Sequence, residues 1–253
     1  MKKVSVIIPT YNKCKFLDLT LAGFLLQSYE NFELIIIDDG SSDMTREVVR
    51  KYESKLDIRY IYKNNGGRSS ARNYALKMDL GEYIIFNDDD RIPSPDLIKY
   101  HMDKLEKNNK LVTIGYKHEI LSFFIEGMRF DVINILNIAN RNPSIIRKIV
   151  LDNEDQLFTS EELINNYHKT ISDWYLRESI DNYGDVYQKY TDDLIGFDFG
   201  WVLATTASLG FKFDGTTNIF FDEAYKGWGV EDTDFSYQLY KQGYTFGLVR
   251  KAE

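Results

Sequence analysis

The sequence predicts an α/β fold, with a mostly parallel central sheet flanked by helices and a helical insertion in its middle. Three observations carry this. Apolar runs of strand length alternate with stretches of helical period over the first hundred residues, the order of a parallel sheet. Two of the runs, Leu34–Ile37 and Tyr83–Phe86, are continuously apolar, as in buried strands of such a sheet. Each run ends in polar or glycine-rich residues, and ligands of such sheets collect at the carboxyl ends of the strands.

The first strand is Val4-Ser5-Val6-Ile7-Ile8, stopped by Pro9. Leu17, Leu21, Phe24 and Ser28 recur at helical spacing and predict a helix through about Phe16 to Gln27. Leu34-Ile35-Ile36-Ile37 is a second strand, ending in a turn from Asp38 to Asp43 whose last member can cap a helix through Val48, Val49 and Tyr52. A third strand, Ile58 to Tyr62, leads into Asn64-Asn65-Gly66-Gly67. A helix marked by Ala71, Tyr74, Ala75 and Met78 follows, then the strand Tyr83-Ile84-Ile85-Phe86. Leu97, Ile98, His101 and Leu105 predict one more helix, and Leu111 to Tyr116 one more strand.

Composition narrows the function. The 253 residues carry a net charge of −8, which argues against a nucleic-acid partner. A single cysteine, Cys14, rules out an internal disulfide and suits a reducing compartment. The apolar run after Met1 is too short for a signal peptide, and no stretch approaches the roughly 18 apolar residues of a membrane span. The expectation is a cytoplasmic protein.

The strand ends carry the chemistry. Asn87-Asp88-Asp89-Asp90 gathers three carboxylates that repel one another, so folding alone gives no reason to collect them. A hard divalent cation does: Mg²⁺ or Mn²⁺ takes one or two protein carboxylates and keeps its other positions for water and phosphate. Asp39 can accept a hydrogen bond from a base ring or a ribose. Thr10 and Tyr11 can flank a nucleobase, the tyrosine offering a stacking face. Gly66 and Gly67 let the backbone approach a ligand. Arg68 and Arg72 lie at a helix start, where an anion also meets free N–H groups. Each has a plain structural reading as turn, cap or surface ion pair; together, on four strand ends along one edge, they outline a site.

The segments VSVIIPTYN, LIIIDDGSSDMT, NNGGRSSARN and YIIFNDDD resemble the family 2 glycosyltransferases of GT-A (Rossmann-like) fold over about the first 100 residues. The resemblance implies a nucleotide-diphosphate sugar donor, usually a UDP-sugar, and inversion at the anomeric carbon. It implies that Pro9, Thr10, Tyr11 and Asp39 hold the nucleoside. Gly67, Arg68, Arg72 and Asp89 would complete the donor site, with Arg68 or Arg72 on the diphosphate. Asp90 would bind the metal directly, and Asp88 would reach the ribose or a metal-bound water.

From about 117 to 191 the pattern fades into apolar residues at helical spacing, such as Phe123, Phe124 and Met128, then Ile145, Ile146 and Ile149. This variable helical insertion separates a nucleotide-sugar-binding half, 1–116, from an acceptor-binding half, 192–253. It is also where a peripheral membrane contact or a partner enzyme would dock. Pattern returns at Gly227-Trp228-Gly229-Val230-Glu231-Asp232-Thr233-Asp234, before a helix through Phe235 and Leu239 that ends near Gly243. Carboxylates in a first helical turn have a capping role available. The aromatic ring between two glycines suits packing on a sugar. The stretch resembles the G-W-G-x-E-D-x-D element of galactosyl- and N-acetylgalactosaminyl-type transferases and chondroitin-type polymerases. By that resemblance Asp232 is the general base, Glu231 binds acceptor sugar, and Trp228 lines the acceptor pocket. The acceptor would be a glycan, glycoprotein or glycolipid, made at the inner face of a bacterial membrane.

Two departures stand out. Where family members carry an Asn-x-Ser element, this chain has Trp201-Val202-Leu203-Ala204-Thr205-Thr206. Many members also supply a metal-binding histidine beyond the Glu-Asp helix, whereas His101, His118 and His168 all precede it and the sequence stops at Glu253. Either this is a piece of a longer chain or the metal is held without that ligand. The competing readings are a catalytically weak nucleotide-sugar-binding module and a nucleotidyltransferase, which would want a Gly-rich, Lys-containing loop where Pro9-Thr10-Tyr11-Asn12 stands.

Overall fold

In the computed structural model of the chain, residues 2–123, 132–148, 156–179, 183–213, 219–225 and 229–252 are described. Their order is β1 (Val4–Thr10), α1 (Cys14–Phe24), β2 (Phe32–Asp38), α2 (Thr45–Arg50), β3 (Ile58–Tyr62), α3 (Arg68–Leu76), β4 (Tyr83–Asn87), α4 (Leu97–Leu105) and β5 (Leu111–Gly115). Next come β6 (His118–Ile120), α5 (Val132–Arg141), α6 (Ser144–Ile146), α7 (Ser160–Asn165), α8 (Tyr167–Trp174) and β7 (Tyr175–Glu178). The chain finishes with α9 (Gly184–Tyr190), α10 (Gly200–Leu203), β8 (Ser208–Lys212), α11 (Glu231–Lys241) and β9 (Thr245–Val249). It divides into two compact units, Met1–Tyr116 with Tyr183–Glu253, and Lys117–Asn182.

The first unit is built on a seven-stranded sheet of order β3-β2-β1-β4-β8-β5-β9. Strands β3, β2, β1 and β4 are mutually parallel, as are β5 and β9, and β8 alone runs antiparallel between β4 and β5. The central strands earn their burial from sequence: every residue of β2 and β4 is buried, as expected where helices cover both faces. Pro9 does not stop β1. The strand continues to Thr10 along β2, while its pairing with β4 ends at Ile7, so the missing N–H forfeits no ladder bond there. The first helix starts and ends earlier than its apolar spacing suggests, at Cys14 and Phe24. Asp43 explains its start: its carboxylate accepts the Cys14 N–H at 2.9 Å and, with its other oxygen, the Thr45 N–H at 3.1 Å, so one side chain serves two helix entries.

Against the central strand β4 lies an aromatic cluster. Phe86 of β4 meets Phe221 and Phe235 edge-on at 5.6 and 5.7 Å, and Phe221 stacks on Phe235 at 4.2 Å. Asn73 of α3 fastens the Phe221 segment, accepting the Phe221 N–H at 2.8 Å and donating to its carbonyl at 2.9 Å. Helix α11 is thereby fixed against β4 and α3.

The second unit pairs β6 with β7 antiparallel, and its described residues also form helices α5 to α8. Helix α7 begins with a capping box between Thr159 and Glu162, and Phe158 stacks on Trp174 at 6.2 Å. It therefore holds a strand pair as well as helices, and α9 belongs to the first unit. Phe123 and Ile145 are buried there; Phe124, Met128 and Ile149 lie outside the described residues.

Candidate functional site

The parallel run β3-β2-β1-β4 brings four polar strand ends to one edge, where side chains tie them together. The Asp39 N–H donates to the Thr10 carbonyl at 2.9 Å. Asn12, at φ 52°, accepts the Ser42 N–H at 2.8 Å and donates its own N–H to Ser41 Oγ at 2.9 Å. The Asp39 carboxylate is buried and well filled: Oδ1 accepts from Lys63 Nζ at 2.5 Å and the Gly66 N–H at 3.0 Å, and Oδ2 from the Gly67 N–H at 2.7 Å. Gly67 has φ +90°, which an L side chain rarely adopts, and this turn is what points its N–H at Asp39. Thr10 is buried beside this group, whereas the Tyr11 ring is half exposed.

At the end of β4 the three carboxylates take different surroundings. Asp89 is buried, with Lys13 Nζ at 3.2 Å. Burial raises its pKa to about 6, against the opposing pull of Lys13 and with the help of Asp90. Asp90 is partly exposed and takes Lys13 Nζ at 2.6 Å. Burial works against the Lys13 ammonium, but Asp89 and Asp90 outweigh it and hold its pKa above the usual lysine value. Asp88 is also partly exposed and accepts from Arg72 Nη2 at 2.9 Å. Among the described residues no group of three or more His, Cys, Asp or Glu is gathered as a ready-made metal site.

Arg72 is the centre of the second half of the site. Its side chain is 3% exposed, although it starts from a surface-type residue on α3. Besides Asp88 it faces Asp232 Oδ1 at 3.4 Å and Glu231 Oε1 at 3.7 Å through Nη1. Arg68, more exposed, reaches Glu231 Oε1 at 3.6 Å. The acids come from the first turn of α11, where free N–H groups favour carboxylates. Glu231 is buried, and its Oε2 has no hydrogen-bond partner among the described residues. Asp232 is held further by Thr206, whose hydroxyl donates to Oδ1 at 2.8 Å and whose N–H donates to Oδ2 at 3.1 Å.

Pro9, Thr10, Tyr11, Asp39, Gly67, Arg68, Arg72, Asp88, Asp89, Asp90, Glu231 and Asp232 all lie in the first unit. Trp228 lies outside the described residues. Three participants were given no role from the sequence: Lys13, Lys63 and Thr206, the last named only within the stretch that stands in place of an Asn-x-Ser element. The Lys13-Asp89 contact spans 76 positions and the Thr206-Asp232 contact 26. The strand ends hint at the two lysines: Lys13 follows β1 by three residues, and Lys63 follows β3 directly.

Comparison with known proteins gives this arrangement a family. The model of glycosyl transferase family 2 matches residues 5–169. The hyaluronan synthase of Pasteurella multocida is 29% identical over 252 residues, covering 97% of this chain and 24% of that protein. The chondroitin synthase of Escherichia coli is 26% identical, covering 98% and 34%. An uncharacterized glycosyltransferase of Bacillus subtilis, YfnE, is 29% identical, covering 98% and 63%. This chain thus spans about a quarter to a third of the length of the two synthases. Among solved structures, S. aureus TarS superposes with a TM-score of 0.56 at 20% identity, covering 99% of this chain and 35% of TarS. TarS 1-349 in complex with UDP-GlcNAc superposes at 0.55 and 21% identity, covering 98% and 56%. The sheet order and these superpositions make the fold GT-A. With its family model matching residues 5–169, more than half of its length, the chain belongs to glycosyl transferase family 2.

Proposed function

We propose that this chain is an inverting, metal-dependent hexosyltransferase domain that moves a sugar from a UDP-sugar to a hydroxyl of a glycan, glycoprotein or glycolipid. The observation that carries the reading is one buried guanidinium, Arg72, shared between Asp88 at the end of β4 and Asp232 at the start of α11. Carboxylates suited to a donor and a carboxylate suited to an acceptor face each other across that charge.

In this reading Pro9, Thr10, Tyr11 and Asp39 hold the nucleoside, a base N–H replacing one of the loop donors on Asp39. Gly67 permits close approach of the diphosphate, Arg68 meets its charge, and Arg72 sets the carboxylates around it. Buried Asp89 backs the donor pocket. The hard oxygen donors of Asp90 and Asp88, both partly open to solvent, fit Mn²⁺ or Mg²⁺, which would complete its shell with water and phosphate oxygens. Held there, the cation supplies charge against the departing diphosphate. Glu231 and Trp228 bind the acceptor sugar. Asp232 takes the proton of the acceptor hydroxyl; the oxygen lone pair forms the new bond to the anomeric carbon from the face opposite the diphosphate. The old C–O bond breaks and its electron pair leaves on UDP. The names of the relatives favour a growing polysaccharide as acceptor.

The test is UDP release from a panel of UDP-sugars, UDP-GlcNAc first, with Mn²⁺ and hyaluronan or chondroitin oligosaccharides. Asp232→Asn is expected to lower turnover about 100-fold or more while UDP binding persists. Turnover at the parent rate in that variant would remove Asp232 from the reaction.

A further inference from the structure

We propose that Thr206 is a positioning residue that locks the Asp232 carboxylate and so selects Oδ2 as the oxygen that takes the acceptor proton. The inference rests on the reading of Asp232 as general base, and it comes from an inventory of that carboxylate. A carboxylate oxygen offers two lone pairs in its plane. Oδ1 receives two donors, the Thr206 hydroxyl at 2.8 Å and Arg72 Nη1 at 3.4 Å. Among the described residues Oδ2 receives one, the Thr206 N–H at 3.1 Å. The open lone pair therefore belongs to Oδ2, on a side chain that is 22% exposed.

Thr206 can impose this because it grips both oxygens at once. Its backbone is held just before β8, two residues ahead of Ser208, and its side chain is fully buried. A rotation of the carboxylate that exchanged Oδ1 and Oδ2 would break both bonds together. The preceding Ala204 carbonyl accepts from Ser236 Oγ of α11 at 3.4 Å, so the segment carrying Thr206 is fastened to the helix carrying Asp232. The hydroxyl is therefore a fixed donor, aimed at the base and not at a ligand. In the transfer step the acceptor O–H proton moves to Oδ2, the acceptor oxygen bonds to the anomeric carbon, and the electron pair of the breaking bond departs on UDP.

The experiment measures UDP release from UDP-GlcNAc with Mn²⁺ and hyaluronan oligosaccharides in the parent chain, Thr206→Val, Thr206→Ser and Asp232→Asn. Valine keeps the shape of threonine and the N–H bond but removes the hydroxyl. Misplacing a reacting group can lower a rate by about 100-fold. The expected result is a fall of about 10- to 100-fold in kcat for Thr206→Val, with KM for UDP-GlcNAc within about twofold, and recovery of most of the rate in Thr206→Ser. An unchanged melting curve with UDP and Mn²⁺ shows that the valine variant is folded and binds donor. Parent-level turnover in Thr206→Val, beside an inactive Asp232→Asn, overturns the role of Thr206 and leaves the base intact. So does a serine variant as slow as the valine one. Parent-level turnover in Asp232→Asn, or no UDP release by any form, overturns the base and this inference with it.

Discussion

At the scale of single residues, the first unit relies on charged and polar groups that are buried with partners. Arg72 neutralises acids from two elements, and His101 shows the opposite solution, a titratable group kept uncharged. Its ring is fully buried between β5 and β8. Thr113 Oγ1 donates to the Gly210 carbonyl at 3.0 Å and so accepts from His101 Nδ1 at 2.7 Å, leaving Nε2 to accept from Ser208 Oγ at 3.2 Å. Burial lowers its pKa from 6.5 to about 3. A folded value below the unfolded one means that the stability it contributes is complete above pH 6.5 and is lost as pH falls toward 3. The loss reaches on the order of 5 kcal/mol at the acid end. In urea titrations between pH 7.5 and 4, His101→Asn is expected to be less stable at neutral pH but to lose less as the pH drops. Parallel curves would contradict a neutral His101.

At the scale of elements, α11 decides where the α11 acids stand, and its entry is strained. Val230, its N-cap residue, has φ 57°, a left-handed conformation that β-branched side chains avoid. The strain is sustained because Phe235 is clamped by Phe86 and Phe221 one turn further on. Val230 is 61% exposed, so Val230→Gly removes strain and little burial. We expect it to stabilise the fold by about 1 kcal/mol in thermal denaturation; destabilisation by a similar amount would contradict the strain. This scale also shows what a sequence conveys. Strands β1, β2 and β4 were legible because they are buried on both faces, and apolar runs report that directly; β3, at the sheet edge and only partly buried, was legible from its β-branched and aromatic residues. Strands β8 and β9 carry a glycine at their middle, which reads as a break. In β8 the glycine answers to packing: a Cβ on Gly210 would lie 2.7 Å from Thr113 Oγ1 and 3.0 Å from His101 Nδ1. Its cause is a neighbour 97 positions away, which no local pattern records.

At the scale of the whole molecule, the site joins two stretches that the sequence separates by well over a hundred residues. The acids and the glycine loop were legible because their chemistry is conspicuous: three adjacent carboxylates, two arginines four apart, an acid pair opening a helix. Lys13 and Thr206 were not, because a lysine or threonine has an ordinary role at any surface, and only the meeting of β1 with β4 or of β8 with α11 gives it another. No helix among the described residues is long and apolar enough to cross a membrane. The central claim is that the edge formed by β1 to β4 binds a nucleoside diphosphate with a divalent cation through Asp90 and Asp88. Calorimetric and thermal titration of the chain with UDP, with and without Mn²⁺, tests this most directly, since a ligand at about 100 times its Kd adds roughly 2.7 kcal/mol of stability. The account predicts stabilisation by UDP that requires Mn²⁺ and disappears in Asp90→Ala; no response to UDP in the presence of Mn²⁺, or an undiminished response in Asp90→Ala, would contradict it.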